Sequence, residues 1–265
     1  MNPTPSIGRR RFLAASAGAL VLRPGAGEAL PTRPTELGAP LRPYGEPSPF
    51  EENVVRVPTD LTPTKLSSWN FTPLANSSGT ITPSGLVFER NHAGVPAIDP
   101  AQHRLVVHGL VDAARAFTLD DLKRYPSVSV MHFLECSGNS MTEWKKPTGK
   151  TVQLTHGLLS CCEWAGVRVS TVLKDVGVKP SAKWVLAEGA DAALMDRSIP
   201  LEKMMDDTLL VYGQNGEALR PEQGYPVRLF LPGFEGNMSI KWLRRLKVGT
   251  EPFYSREETS PSTPT

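Results

Sequence analysis

The stretch Ser127-Val128-Ser129-Val130-Met131-His132-Phe133-Leu134-Glu135-Cys136 decides how this chain is read. Val128, Val130, His132, Leu134 and Cys136 fall on one face, and Ser127, Ser129, Met131, Phe133 and Glu135 on the other. A period of two is the side-chain period of a β-strand, so the stretch predicts one. The following Ser137-Gly138-Asn139-Ser140 consists of turn formers. Cys136 is therefore expected at the exit of a strand, where a scaffold presents functional groups to a cleft.

On either side the same patterning repeats. Leu105, Val107 and Gly109 alternate with Val106, His108 and Leu110, which predicts a mostly buried strand within 102–111. Thr118-Leu119-Asp120-Asp121-Leu122 predicts a short helix with Thr118 as N-cap and acid in its first turn. Ser170 is expected to cap another short helix around Val172 and Leu173. Further strands are predicted at 183–187, 209–212, 227–231 and 240–248, with Asn215-Gly216 as a hairpin turn. Strands and short helices without strict alternation place the chain in the α+β (mixed α/β) class.

Composition bounds the function. The 265 residues carry 29 Lys and Arg against 27 Asp and Glu, a formal net charge of +2. That balance gives no electrostatic case for a nucleic-acid partner. Hydrophobic residues at 40% and charged residues at 21% describe a globular chain. Three cysteines are too few for a disulfide scaffold and leave one thiol over in any intramolecular pairing.

The N-terminus reads as a targeting segment. Arg9-Arg10-Arg11-Phe12-Leu13 fits the twin-arginine pattern R-R-x-F-L, and the apolar run ending at Leu22 is too short to span a bilayer. Gly27-Glu28-Ala29 places small residues at both cleavage-determining positions, which makes residues 1–29 the expected signal peptide. That route exports folded proteins, so a periplasmic protein with no stable membrane anchor is expected. Six prolines between 31 and 49 begin a Pro-rich extended arm, taken to run over 30–84, with Trp69 and Phe71 as docking points.

The usual anchors of nucleotide binding and serine hydrolysis, G-x-G-x-x-G, G-x-x-x-x-G-K and G-x-S-x-G, do not occur. Adjacent Cys161 and Cys162 chelate a tetrahedral zinc poorly and read as small buried residues beside Trp164. For Cys136 three roles stay open: a structural thiol, a thiolate ligand of a soft metal, and a nucleophile that needs a base from His92, His132 or His156.

The segment Leu134-Glu135-Cys136-Ser137-Gly138-Asn139 resembles the C-[AS]-G-N segment of the sulfite oxidase family of molybdenum enzymes. Phe88-Glu89-Arg90-Asn91-His92 with Pro96 resembles that family's F-x-R-x-H-x-x-x-P segment. Trp164-Ala165-Gly166-Val167, Ser198-Ile199-Pro200-Leu201, Asn215-Gly216 with Leu219, Gly224-Tyr225-Pro226-Val227-Arg228, and Lys241-Trp242-Leu243 follow in family order. The resemblance implies a molybdopterin-binding fold of mixed sheets and short helices, with the cofactor domain over 85–250. It implies molybdenum-molybdopterin as cofactor and Cys136 as the one protein ligand of the metal. Cys136, Arg90 and His92 are the implied catalytic residues. Arg90, Asn91, His92, Ser137, Gln223, Arg228, Asn237 and Lys241 are the implied cofactor-binding residues beside Cys136.

Departures narrow the expectation. Where sulfite-oxidising relatives continue with arginines after C-A-G-N, this chain has Ser140-Met141, and a tyrosine near the metal is replaced within Leu194-Met195-Asp196-Arg197. The combination looks most like the SoxC-type sulfane dehydrogenase branch of the family. That implies oxidation of a persulfide on a sulfur-carrier protein, with electrons passed to a c-type cytochrome. No C-x-x-C-H occurs, so haem c is expected only on a partner subunit. A sulfite dehydrogenase and an inactive protein of the same fold are the competing readings. The family normally adds an immunoglobulin-like dimerisation domain after the K-W-L block. Here a Ser/Thr/Pro-rich stretch follows, so 251–265 is expected to be a disordered tail without that domain.

Overall fold

Strands supply most of the order. They are β1 (Val57–Pro58), β2 (Trp69–Phe71), β3 (Glu89–Arg90), β4 (Leu105–Gly109), β5 (Arg115–Phe117), β6 (Ser127–Glu135), β7 (Leu159–Arg168), β8 (Trp184–Gly189), β9 (Asp196–Pro200), β10 (Leu209–Gln214), β11 (Glu217–Ala218), β12 (Arg228–Phe230) and β13 (Leu243–Gly249). The helices are short: α1 (Leu119–Lys123), α2 (Met141–Lys145), α3 (Val152–His156), α4 (Val169–Asp175) and α5 (Leu201–Met205). The computed structural model describes residues 39–58, 64–145 and 151–255. The signal reading at 1–29, residues 30–38 of the arm, and the tail beyond 255 lie outside the described residues.

Three sheets form, in the orders β1-β2-β3, β11-β10-β7-β6 with β12 beside β10, and β5-β4-β13-β8-β9. β13 and β4 pair in parallel, while the other strand pairs are antiparallel. Mixed pairing with helices of seven residues or fewer is the expected α+β class. Among the described residues no helix is long and apolar enough to cross a membrane.

β6 follows its sequence pattern: its exposed residues are the odd-numbered ones, from Ser127 to Glu135. β4 does so less fully, since Leu105 and Val107 are buried while Val106 is exposed. α1 carries a complete capping box, with Asp121 N–H donating to Thr118 Oγ1 at 3.0 Å and Thr118 N–H donating to Asp121 Oδ2 at 3.0 Å. Asn215 and Gly216 both take positive φ, 50° and 79°, in the turn joining β10 and β11.

Four expectations are corrected. Arg168, not Ser170, occupies the N-cap of α4, because β7 runs straight into the helix and leaves Ser170 inside it. The last strand begins at Leu243 rather than 240, because Trp242 adopts φ 52° and breaks the extension. The stretch read as an extended arm contains β1 and β2, which pair with each other, and β2 pairs with β3 across the arm's expected end. The tail read from 251 keeps Phe253 and Ser255 on β9, through hydrogen bonds to Ser198 and Asp196.

β7 was not anticipated, and it is the central strand on which the site depends. It pairs with β6 over nine residues and with β10 on its other side. Trp164 on β7 is fully buried, stacks on Phe230 of β12 at 4.8 Å, and donates its indole N–H to His132 O at 3.0 Å. Burying an indole of roughly 200 Å² contributes about 5 kcal/mol. This stack fixes β6, β7 and β12 against one another, and so fixes Cys136 relative to Arg228.

Candidate functional site

Cys136 follows the last residue of β6. Its N–H donates to Leu158 O at 3.0 Å, which continues the β6–β7 ladder by one residue. Asn139 closes the turn: its Nδ2 donates to Glu135 Oε1 at 2.8 Å and its Oδ1 accepts from Leu158 N–H at 3.1 Å. The asparagine of the Cys-Ser-Gly-Asn segment thus holds the backbone that aims the thiol. Gly236 presses against the same backbone, where a Cβ would lie 2.9 Å from Glu135 O. Burial pushes the Cys136 thiol above its ordinary value, opposed by the Gly138 N–H and by the charge of Arg90.

The thiol opens into a cavity of about 700 Å³. All nine residues expected from the sequence line it: Arg90, Asn91, His92, Cys136, Ser137, Gln223, Arg228, Asn237 and Lys241. They come from β3 and the residues just after it, the turn after β6, β12 and the segment before it, and the loop before β13.

Their connections are dense. Lys241 Nζ donates to Arg90 O and Glu222 O, both at 2.9 Å, and to Asn91 Oδ1. Burial pulls its ammonium down to about 7, helped by the charge of Arg228, while three acceptors favour the charged form. Arg228 is buried on β12, donates to Gln223 O and Ser239 O at 3.0 Å each, and lies 5.1 Å from the Trp164 ring. Burial lowers its guanidinium to about 10. Gln223 Nε2 donates to Phe88 O at 2.9 Å. Gly224, at φ 108°, tucks the intervening turn between Arg228 and Lys241, where a Cβ would meet both at 3.0–3.1 Å. Arg90 sits 5.3 Å from the Trp69 ring, and burial lowers its guanidinium. Asn237 Nδ2 donates to Ser137 Oγ at 3.2 Å.

Among the lining groups that sequence reasoning left unassigned are three polar side chains on or near the strands and helices of the cavity wall. Asp191, just past β8, is 2% exposed and uses Oδ1 to accept from Met195 N–H at 3.2 Å. Arg197 on β9 is buried, and Thr142 sits in α2. A charged residue at a strand end was the available signal for Asp191.

The donor set can be tested for what it would hold. Four cations, Arg90, Arg197, Arg228 and Lys241, line the cavity against two carboxylates, Asp191 and Glu235. Arg228 Nε, Asp191 Oδ2 and Asn237 Oδ1 are buried without a hydrogen-bond partner. Unmet polar groups of this kind cost about 1–3 kcal/mol each, so the cavity is built for a ligand that supplies both anionic oxygens and N–H donors. Among the described residues no group of three His, Cys, Asp or Glu could hold a metal by itself. A metal beside Cys136 would therefore take its other ligands from a bound organic group.

These features define a domain that binds a large anionic cofactor and offers it one protein thiol. The chain belongs to the oxidoreductase molybdopterin binding domain family, whose model matches residues 92–257. It is 37% identical over 190 residues to mitochondrial sulfite oxidase of Mus musculus, covering 68% of this chain and 35% of that protein. It is 35% identical over 185 residues to the NADH nitrate reductase of Ulva prolifera, covering 64% of this chain and 21% of that protein. The crystal structure of the sulfane dehydrogenase SoxCD from Paracoccus pantotrophus superposes with a TM-score of 0.82 at 45% identity, covering 85% of this chain and 59% of that one. The chain thus spans about a third of the sulfite oxidase and a fifth of the nitrate reductase. The orphaned polar atoms and the buried cations fit a molybdopterin, a pterin carrying a phosphate and a dithiolene.

Proposed function

We propose that this protein is a molybdenum oxidoreductase that oxidises sulfane sulfur held as a persulfide on a carrier protein, with electrons leaving to a c-type cytochrome on a partner subunit. When bound, the molybdenum–molybdopterin group supplies two-electron redox chemistry at sulfur. The protein's part is to hold and shape. Cys136 is the metal ligand. Arg228, Lys241, Gln223 and Asn91 hold the pterin and phosphate end, while Arg90, His92, Ser137 and Asn237 orient the end near the thiol.

The observation that carries the substrate reading is the apolar part of the cavity lining. Met141, Trp144, Leu154 and Leu158 line the cavity that Cys136 opens into, and Arg90 is the cation whose charge acts on the thiol. Apolar groups of this kind desolvate a neutral sulfur at low cost and offer nothing to a sulfite dianion, which would have to draw on cations already facing the cofactor. The 45% identity to a sulfane dehydrogenase supports the same reading. A thiol raised by burial is a poor nucleophile, which argues against a cysteine hydrolase. Arg9-Arg10 supports export of the folded protein to the periplasm after cofactor insertion.

The test combines metal and pterin analysis of the exported protein with turnover on two substrates. One molybdenum per chain is expected in the native protein, with activity abolished in Cys136→Ser. Turnover of a protein-bound persulfide should exceed that of free sulfite. A molybdenum-free native protein would remove the cofactor reading, and sulfite as the better substrate would replace sulfane dehydrogenase by sulfite dehydrogenase.

A further inference from the structure

Arg56, the residue before β1, holds three separate segments at once. Its Nε donates to Gly85 O at 3.1 Å, its Nη1 to Glu89 Oε2 at 2.7 Å, and its Nη2 to Glu222 Oε1 at 2.5 Å. The side chains of Arg56, Glu89 and Glu222 are 19%, 18% and 17% exposed, against 50% and 42% for the surface pair Arg115–Asp175. Ion pairs this far from solvent are weakly screened, so they fix geometry that a surface pair does not. The residue type matters. A guanidinium fork reaches both carboxylates and the carbonyl together, whereas a lysine ammonium is a single point charge.

Both carboxylates lead on to Lys241. Glu89 turns its other oxygen, Oε1, to Asn91, whose Nδ2 donates to it at 2.6 Å. An amide has one donor end and one acceptor end, so this bond leaves Asn91 Oδ1 to accept from Lys241 Nζ. Glu222, gripped by its side chain, offers its backbone O to the same Nζ at 2.9 Å. Two of the three acceptors of Lys241 are thus set through Arg56. The third, Arg90 O, belongs to β3 and adjoins Glu89. The charge of Glu89 also favours the Lys241 ammonium.

We propose that Arg56 is a positioning residue for the cofactor: by clamping Glu89 to Glu222 it holds Asn91 and Lys241 in the geometry that binds the pterin and phosphate end. The inference rests on the cofactor reading above. Asn91 and Lys241 line the cavity, and Arg56 is not among its lining residues. It lies ahead of residues 92–257, which the family model matches, and within the stretch whose prolines read as an arm. The three-stranded sheet therefore does more than cover the core. Without Arg56, two part-buried carboxylates surround one vacated position. Their repulsion frees the Asn91 amide and shifts the turn at Pro221–Gln223 that carries Glu222.

The test uses full-length protein loaded with molybdenum and molybdopterin, as native chain, Arg56→Met, Arg56→Lys, Lys241→Met, and the double variant Arg56→Met with Lys241→Met. Pterin and molybdenum remaining on the protein are followed after dilution, well below the melting temperature. Arg56→Met should release cofactor at least about tenfold faster than native protein. Arg56→Lys, which can keep one of the two ion pairs, should fall between them, and it carries the same comparisons if the methionine variant does not fold. The rise in melting temperature that the cofactor confers should shrink in both Arg56 variants. A purely structural ion pair would lower loaded and cofactor-free protein equally and leave that rise intact. In the Lys241→Met background, adding Arg56→Met should change release by less than about twofold, because the group it positions is already gone. Arg115→Met, which breaks only the surface pair, should release cofactor at the native rate. Native release rates in both Arg56 variants, an undiminished cofactor-induced rise, or fully multiplicative effects in the double variant would each overturn the inference. Native protein that carries no pterin would instead remove the cofactor reading, and this role with it.

Discussion

Lys241 carries the clearest pH prediction. Burial holds its ammonium at about 7 in the cofactor-free fold, against an ordinary value near ~10.4 when unfolded. Between those values the unfolded chain binds a proton that the folded one does not, so stability rises with pH across the window and is lost as pH falls through 7. The unfolding free energy of cofactor-free protein from urea titrations should climb from pH 7 to 9 by up to about 1.4 kcal/mol per pH unit, and Lys241→Met should flatten the slope. An unchanged slope in the variant would place the titration elsewhere. At this scale the thiol was legible because one strand's alternation ended at it. Asp191 was not, because a lone acid after a strand looks like any solvated loop residue. Only the packing of a second sheet turns its unpartnered Oδ2 into a site feature.

At the scale of elements, β6 was readable and β7 was not, although they are partners over nine residues. The core-facing positions of β7 are Ser160, Cys162, Trp164 and Gly166, which show little hydrophobic contrast. Ser160 is tolerated inside because Thr72 bonds its hydroxyl at 2.6 Å and Phe88 N–H donates to it at 3.1 Å. Those partners lie more than 70 residues away, so no local window could supply them. Gly166 is required by the neighbouring strand, since a Cβ there would lie 2.0 Å from Leu210 O. Gly166→Ala should cost at least about 2 kcal/mol by overpacking, whereas Gly216→Ala, in open space at φ 79°, should cost only about 1 kcal/mol of left-handed strain. Denaturant midpoints of the two variants check the ranking. Equal losses would mean that the β7–β10 contact is looser than described.

At the scale of the molecule, the cavity is assembled from segments around residues 90, 136, 191, 223 and 241, drawn from all three sheets. It exists only when those sheets are packed, and it then gathers four cations against two carboxylates. Without an anionic ligand these charges repel one another in a poorly solvated space, so the ligand-free fold is held below its attainable stability. Any anion that enters the folded cavity and not the unfolded chain raises stability by mass action. Inorganic phosphate should therefore raise the melting temperature of cofactor-free protein more than chloride does at equal ionic strength. It should do little to cofactor-loaded protein, whose cations are already paired. Arg228→Met combined with Lys241→Met should erase the difference between the two anions. Equal phosphate shifts in loaded and unloaded protein would show that the anion acts on the outer surface and that the cavity's charge is already compensated from within.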